Sequence, residues 1–289
     1  MKINRLATAA LIVTGVLVSA APAGAPMGPA TAFLGDGRWA VGGEYGHEQM
    51  SLEGFGTVTE RFLNGSSTFW TQSAQIDDLT SNMFFGTLAF GIGDNWDIFA
   101  RVGAADAKDE IVAPSGGGNA LETRDDFDGG LGLAWGVGTR ATFYRCGPWS
   151  FGGLMQVTWF RPSSSDFSIA DPLIPDESWV GDMKLDYWQA QASLAATYQV
   201  DKWRFWAGPY LQFLRGDMEF SGAAILDLAG ASTIRWAGDL QESAQIGGHF
   251  GANWEVSEVF DVWVEGQITG DSWLVGVGAM LRPEKSFGI

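Results

Sequence analysis

The chain has 289 residues, of which 34 are acidic and 17 are basic, so its formal net charge is −17 at pH 7. This sign excludes nucleic acid as a partner, because binding to a phosphate backbone depends on lysine and arginine. The 40 glycines and 14 tryptophans are an unusual pair for a soluble fold. The single cysteine, Cys146, forbids an internal disulfide, and we assign it no role.

The N-terminus has the pattern of a secretory signal peptide. Two basic residues precede an apolar run over residues 6–21, which is too short and too rich in small residues for a membrane-spanning helix. Small residues suit cleavage after Ala23 or after Ala32. We expect the latter, so that residues 1–32 are the signal peptide and residues 33–289 the mature domain. The mature chain then carries 15 basic and 34 acidic residues, a net charge of about −19.

Polar and apolar residues alternate after the signal peptide, and the mean hydropathy of the chain is only +0.03. In residues 188–200, Gln189, Gln191 and Ser193 alternate with alanine, leucine and aromatic residues. A period of two places the polar side chains on one face of a strand and the apolar ones on the other. A strand that crosses a bilayer needs roughly 9–11 such residues, with lipid on one face and a polar lumen on the other.

The same pattern recurs along most of the chain and predicts about ten strands, within a range of roughly 8–12. The predicted strands cover residues 38–49, 82–92, 96–105, 130–144, 149–161, 185–200, 203–215, 240–256, 260–269 and 272–282. Short turns alternate with long polar connections, which cover residues 50–81, 106–129, 162–184 and 216–239. Short periplasmic turns and long external loops are typical of outer-membrane proteins. We therefore predict an all-β fold: a single transmembrane antiparallel up-and-down β-barrel after a cleaved signal peptide.

Aromatic residues fall at both ends of the predicted strands. Those beside the short turns are Trp39, Trp96, Trp149, Trp203, Trp254 and Phe260. Those at the opposite ends are Trp159, Trp188, Phe213 and Trp273. Aromatic residues that cap a soluble core are the alternative, but two belts one strand length apart favour the two interfaces of a membrane.

Residues 93–103 (GDNWDIFARVG) form a turn followed by an alternating strand that begins with an aromatic residue, and weaker echoes start at Asp201 and Glu258. With these motifs the chain resembles the broad superfamily of small, porin-like bacterial outer-membrane β-barrels, over nearly the whole mature sequence. The resemblance implies export through the periplasm to the outer membrane. It also implies contacts with membrane lipid, lipopolysaccharide, periplasmic chaperones and the barrel-assembly machinery. One departure is the end of the chain: the family ends in an aromatic residue on the last strand, whereas this chain continues to Ile289.

Charged residues occur on the predicted inward faces among many small residues. They are Glu44, Arg101, Arg140, Arg204 and Glu265. A barrel of about ten strands has a narrow interior, so these charges must pair or be hydrated. One interpretation is a salt-bridge network that plugs the lumen. The other is a narrow cation-preferring pore for small solutes, in which Glu44 and Glu265 contribute selectivity.

An acidic cluster in the predicted external loops is a weak candidate for a metal site. Asp125, Asp126 and Asp128 give three carboxylates within four residues, and Ca²⁺ and Mg²⁺ prefer oxygen ligands. No loop has a full calcium-binding spacing, however, and solvated negative charge at the cell surface also explains the cluster. We expect no other cofactor.

A hydrolase (a protease or a lipid-modifying enzyme) at the outer rim is the remaining alternative, since ten-stranded outer-membrane proteases place Asp and His residues there. His47 falls near the outer end of the first strand, and Asp77 and Asp78 lie in the first loop. No motif of that family maps onto these residues. With only His47 and His249 in the chain, there is little capacity for general-base catalysis, and we expect no enzyme. The main expectation is a structural or surface-exposed barrel with acidic external loops and a largely plugged lumen.

Overall fold

The computed structural model describes residues 24–62, 64–114, 122–170, 178–225, 232–270 and 272–283. Within these ranges the chain forms eleven strands. The strands are β1 (Trp39–Arg61), β2 (Ser67–Gly91), β3 (Trp96–Pro114), β4 (Glu122–Cys146), β5 (Trp149–Arg161), β6 (Ser165–Ala170), β7 (Ser178–Val200), β8 (Trp203–Ile225), β9 (Ser232–Ser257), β10 (Phe260–Ile268) and β11 (Ser272–Leu281). Within the same ranges, no helix is long and apolar enough to cross a membrane.

Ten of the eleven described strands close into one antiparallel ring. Strands β1 to β5 and β7 to β11 pair in sequence order, and the pairs β1–β11 and β5–β7 complete the circle. Strand β6 pairs with β7 beyond the end of β5, so β5 and β6 together fill one place in the ring. The prediction of an up-and-down barrel with about ten strands is confirmed.

The strands are longer than predicted at the end that lies away from the short turns. Strands β1 and β2 stay paired as far as Arg61 and Ser67, and β7 begins at Ser178 instead of residue 185. Strands β3 and β4 likewise pair from Pro114 and Glu122 inward. Much of what the sequence analysis assigned to long external loops therefore continues the wall of the barrel, which corrects that assignment.

In the half of the barrel next to the short turns, called here the inner half, the wall is polar inside and apolar outside. On β7, Gln189, Gln191 and Ser193 are at most 4 % exposed, whereas Leu194 on the other face is 59 % exposed. Because a closed ring pairs the backbone groups of every strand, lipid can cover the apolar outer face. The alternation predicted for residues 188–200 is thus present, with its polar face toward the lumen.

The polarity of the two faces inverts farther along the same strands, in what is called here the outer half. On β7, the inward-facing Met183, Leu185 and Tyr187 are at most 3 % exposed, while Lys184 and Asp186 face outward and are exposed. The inward side chains of the outer half form one buried apolar cluster. An apolar inner face and a charged outer face are the arrangement of a sheet in water. The lipid layer must therefore end near the point where the polarity changes.

The composition of the wall also changes at this level. Strand β10 ends at Ile268 and β11 begins at Ser272, and beyond this level β1 pairs directly with β9. This pairing runs from Glu53 opposite Gln241 to Arg61 opposite Thr233. The outer half therefore continues the wall with two strands fewer on that side.

Aromatic side chains form two belts on the outside of the inner half. In the upper belt Trp135, Trp159 and Trp188 lie opposite one another on β4, β5 and β7, and the rings of Trp135 and Trp159 stack at 4.2 Å. In the lower belt Trp149 contacts Tyr198 at 4.8 Å between ring centroids. Trp188 and Tyr198 are separated by about 33 Å along the strand, or about 25 Å at a tilt of about 40°, which is the height of the apolar band of such barrels.

Candidate functional site

The inner half of the lumen is occupied by the chain's own residues 24–34, named here the lumen segment. Residues 24–32 and Leu34 are buried, and Ala25 and Ala30 are 0 % exposed. The segment reverses direction into β1 through Gly35 and Gly37, whose φ angles of +80° and +66° favour glycine. The sequence analysis assigned residues 24–32 to the signal peptide and missed this position, and the boundary at Ala32 stays a prediction.

Glu265, on β10, holds the middle of the lumen segment. Its Oε1 accepts a hydrogen bond from the N–H of Met27 and its Oε2 accepts one from the N–H of Gly28, both at 2.7 Å. Gly28 has a φ of +71°, and consecutive backbone N–H groups in such a turn can converge on one anion. The carboxylate is 3 % exposed, so these two donors replace water as its partners.

Glutamines from three strands satisfy the start of the segment. The Nε2 of Gln156 donates to the carbonyl oxygens of Ala25 and Pro26, both at 3.1 Å. The Nε2 of Gln267 donates to the Ala25 carbonyl at 3.1 Å, and the Oε1 of Gln189 accepts the Ala25 N–H at 3.0 Å. Buried backbone groups need such partners, and here the barrel wall supplies them instead of a neighbouring strand.

The wall is also shaped for the segment. Gly46, on β1, faces the lumen beside Pro26, and a Cβ built on Gly46 would lie 2.6 Å from the Cγ and 2.9 Å from the Cδ of Pro26. Real Cβ atoms essentially never come this close to another carbon, so any side chain here would have to displace Pro26. The absence of a side chain at Gly46 is therefore what allows the segment to approach the wall.

Three arginines in the lumen each face a carboxylate. These pairs are Arg101–Glu44 at 3.5 Å, Arg140–Asp97 at 3.8 Å and Arg204–Asp261 at 3.7 Å. Arg101 and Arg140 also donate to the carbonyl oxygens of Pro26 and Pro29, the latter at 3.2 Å. The guanidinium groups of Arg101 and Arg140 therefore bridge the wall and the segment, and each charge in these three pairs has a charge of the opposite sign nearby.

Phe33 closes the lumen toward the short turns. The guanidinium carbons of Arg140 and Arg204 lie 4.7 Å and 5.3 Å from the centre of its ring. Its N–H donates to the Oδ2 of Asp97 at 3.0 Å. Two cations over an aromatic ring and a backbone hydrogen bond anchor this end of the segment to the wall.

His249 supports Glu265 from behind. Its Nε2 lies 3.0 Å from the Oε2 of Glu265 and 3.1 Å from the indole Nε1 of Trp206, and it makes one of these two hydrogen bonds, as its tautomer decides. All three side chains are buried. A histidine and an indole packed behind the carboxylate restrict its rotation, so both of its oxygens stay directed at the segment.

The structure places all five predicted lumen residues inside the barrel and gives them different surroundings. Arg101, Arg140, Arg204 and Glu265 are at most 8 % exposed, and the side chain of Glu44 is 9 % exposed. Glu44 and Glu265, which the sequence analysis grouped as a candidate selective ring, face different partners. Glu44 faces Arg101, whereas Glu265 binds the lumen segment.

The acidic cluster predicted as a cation site lies on β4 and not in a loop. Asp128 is exposed and its Oδ1 lies 2.7 Å from the Nζ of Lys108; this hydrogen bond and the negative charge raise the pKa of Lys108. The side chains of Asp125 and Asp126 lie outside the described residues. In the part of the chain that the structure describes, no group of three His, Cys, Asp or Glu side chains is arranged for a metal. The Ca²⁺ or Mg²⁺ site stays a prediction.

His47 and Asp78, which were considered for a hydrolase at the outer rim, lie outside the lumen. His47 faces outward on β1, where its Nδ1 lies 3.0 Å from the Oδ1 of Asn82 and its ring lies 5.3 Å from that of Trp273. Asp78 is exposed and accepts a hydrogen bond from Gln49 at 2.8 Å. The side chain of Asp77 lies outside the described residues.

The sequence analysis missed the lumen segment and did not identify Gly46 as the residue that it packs against. Residues 24–34 contain alanine, proline and glycine without a period of two, so no strand pattern marks them. Gln189 and Gln191 did stand out as the polar face of an alternating strand, and a row of buried amides indicates an interior with many backbone groups to satisfy. That row is the signal that could have indicated a peptide segment in the lumen.

No protein-family model matches the chain, and no curated protein matches it by sequence. The outer membrane protease OmpT from Escherichia coli has a TM-score of 0.39 and 7 % identity, with 83 % of this chain and 94 % of that chain covered. The toluene transporter TbuX from Ralstonia pickettii has a TM-score of 0.38 and 10 % identity, with 83 % and 88 % covered. The outer membrane protein OprG from Pseudomonas aeruginosa has a TM-score of 0.37 and 11 % identity, with 87 % and 98 % covered.

The wall of this chain has the properties that a lipid bilayer requires of a β-structure. Its backbone groups pair around a closed ring, an apolar band covers the outside of the inner half, and aromatic belts border that band. The short turns lie at one end and the extended strands at the other, as in barrels of bacterial outer membranes. The chain therefore has the fold and the outer surface of a transmembrane antiparallel β-barrel.

Proposed function

We propose that this chain is a closed outer-membrane barrel with a structural, surface-exposed role, and that its residues 24–34 fill the lumen. The observation that carries the proposal is the pair of hydrogen bonds from Met27 and Gly28 to Glu265. A carboxylate that is buried without hydrogen-bond donors carries a large desolvation penalty, and these two N–H groups remove it. This pair of hydrogen bonds therefore favours the segment inside the barrel over a water-filled lumen.

The lining of the outer half also supports a closed lumen. Its inward face carries apolar residues such as Leu52, Leu214 and Leu240, each at most 1 % exposed. An apolar lining disfavours the passage of ions and polar solutes, because they would lose hydration without gaining partners. A solute that entered from outside would meet this cluster before the polar inner half.

The outside of the wall is the surface that remains for interactions. Asp186, Asp217 and Asp239 lie opposite one another on β7, β8 and β9, face outward and are exposed. Arg161 and Arg215 lie at the level of the upper aromatic belt, where lipid phosphates are found. We include lipopolysaccharide as the first contact partner of this wall, with the cations at the phosphate level and the carboxylates above it.

A narrow cation-preferring pore is the second candidate, and the polar lining of the inner half favours it. If the lumen segment left the barrel, Glu44, Glu265 and the glutamines would line a water-accessible passage. In this alternative the segment would be a gate and not a permanent filling. A rim hydrolase is not part of the proposal.

Conductance of the purified, refolded protein in planar bilayers tests the proposal. We expect no channel activity from the folded protein, with an open porin in the same bilayer as the positive control. Stable cation-selective steps that shrink in Glu44→Gln would instead establish the pore. Cleavage of peptides or lipids by the wild type, lost in His47→Ala, would establish the hydrolase.

A further inference from the structure

We propose that the mature protein begins at Gly24, after cleavage behind Ala23, and that its new α-amino group lies buried in the lumen. This inference rests on the closed lumen proposed above, because residues 24–32 can fill the barrel only if they belong to the mature chain. It places the processing site nine residues before the boundary at Ala32 that the sequence favoured.

The surroundings of Gly24 can receive an amino terminus. Its nitrogen donates to the Oε1 of Gln212 at 2.7 Å, and the next N–H, that of Ala25, donates to the Oε1 of Gln189 at 3.0 Å. The Nε2 of Gln189 in turn donates to the Oε1 of Glu48 at 3.1 Å, and Glu48 is 0 % exposed. A terminal ammonium has three protons to donate, and amide oxygens beside a buried carboxylate are suitable acceptors for them.

The charge of the lumen favours an additional cation. Among the described residues, the lumen contains more buried or nearly buried carboxylates than guanidinium groups. The five carboxylates belong to Glu44, Glu48, Asp97, Asp261 and Glu265, and the four guanidinium groups to Arg101, Arg140, Arg204 and Arg282, which is 17 % exposed and binds Asp261 at 2.9 Å. An ammonium group at Gly24 would reduce this excess of negative charge in a region of low dielectric.

Cleavage behind Ala32 would leave the wall without the partners it is built to meet. It would remove the carbonyl groups of Ala25 and Pro26 and the N–H groups of Met27 and Gly28 from the buried side chains that bind them. The space beside Gly46 would also lose Pro26. These contacts fit residues 24–32 as permanent parts of the protein.

The local sequence suits the proposed cut. Ala21, Pro22 and Ala23 place small residues one and three positions before the cleaved bond, as signal peptidases require, and Gly24 follows. Hydrolysis breaks the amide bond between the carbonyl carbon of Ala23 and the nitrogen of Gly24. Water supplies the hydroxyl group to the carbonyl carbon and a proton to the nitrogen. Because Gly24 is buried in the folded barrel, the cut must precede the closure of the wall around it.

Intact-mass measurement and N-terminal sequencing of the protein isolated from outer membranes test the site directly. We expect a chain that begins at Gly24. A chain that begins at Phe33 would overturn the inference. A chain that begins at Phe33 would also contradict the filling of the lumen by residues 24–32. The two proposals are distinguished by other outcomes: a chain that begins at Gly24 and conducts ions contradicts only the closed barrel, whereas a silent chain that begins before Gly24 contradicts only the processing site.

Labelling with an amine-reactive ester tests the position of the new terminus. In the folded protein we expect the α-amine of Gly24 to react at least about tenfold more slowly than after denaturation, because local opening must precede its reaction. Lys202, which is exposed in the turn between β7 and β8, is the internal control and should react at similar rates in both states. Equal reaction of the Gly24 amine in the folded and the denatured protein would show that the terminus is outside the lumen.

Discussion

The N–H of Gly28 donates to the Oε2 of Glu265 at 2.7 Å, while the Oε1 of the same carboxylate accepts the N–H of Met27 at 2.7 Å. The substitution Glu265→Gln removes the charge and leaves one oxygen for two donors. We expect a loss of about 2 kcal/mol in the free energy of unfolding, because hydrogen bonds to a buried charge contribute about 1.5–3 kcal/mol each. Urea unfolding of the refolded protein in detergent, followed by tryptophan fluorescence, measures this loss.

The control for this substitution is Glu258→Gln in the exposed turn before β10, where we expect a change within about 0.5 kcal/mol. Glu265→Gln should also bring channel openings in planar bilayers that the wild type lacks, if the carboxylate retains the segment. Wild-type stability in Glu265→Gln would show that these hydrogen bonds do not hold residues 24–34 in place.

Gly46 tests the fit between the wall and Pro26. In Gly46→Ala the new Cβ would lie 2.6 Å from the Cγ of Pro26, so the segment must shift. We expect a loss of about 1–3 kcal/mol, as for other overpacked interiors. Gly43→Ala is the matched control, because the nearest atom to its Cβ is the Phe85 carbonyl oxygen at 3.9 Å. Equal unfolding midpoints for the two variants would contradict the packing of Pro26 against β1.

Removing only Arg101 from its ion pair with Glu44 should lower the free energy of unfolding far more than removing both charges. Arg101→Met leaves Glu44 buried without its cation, and we expect a loss of about 3–5 kcal/mol. The double variant with Glu44→Gln should recover part of this loss, because the uncompensated charge is then gone. A double-mutant cycle on unfolding free energies measures the coupling.

The exposed pair Arg235–Glu219, at 3.0 Å on the outer half, is the control for the buried one. Both side chains are at least half exposed, so solvent screens their attraction and we expect less than about 1 kcal/mol from removing either partner. If the buried and exposed pairs gave the same coupling energy, the interior around Arg101 would have to be hydrated, as in an open pore.

The inner half of the barrel could be predicted from the sequence because its two faces meet different solvents. Lipid selects residues such as Leu194 and Phe250 on one face, and the lumen selects Gln191 and His249 on the other, so the period of two is visible in the sequence. The short turns, such as the one at Gly147, made it possible to predict which neighbouring strands pair.

Two features could not be predicted, for different physical reasons. In the outer half the alternation continues, but Lys184 and Asp186 stand on the outward face, where a membrane strand should be apolar, so the pattern resembles a polar loop. In the lumen segment the backbone and not the side chains makes the decisive contacts, through the N–H and C=O groups of Ala25 and its neighbours. Every residue has a backbone C=O group and every residue except proline has an N–H group, so a side-chain pattern does not reveal where these groups bind.

Lysine substitutions can locate the level on the wall at which the lipid ends. Two exposed apolar residues, one on each side of the expected level, are suitable positions. Leu194 is 59 % exposed between the aromatic belts, and Phe55 is 63 % exposed on the outer half. Leu194→Lys should lower the unfolding free energy in lipid bilayers by about 2–4 kcal/mol, the cost of a charge at mid-membrane depth on such a barrel. Phe55→Lys places its charge in water opposite Asp239 on β9, so we expect a change within about 0.5 kcal/mol. A large loss in both variants would mean that lipid also covers the outer half, and the charged row that includes Asp239 could then not be the face presented to the cell exterior.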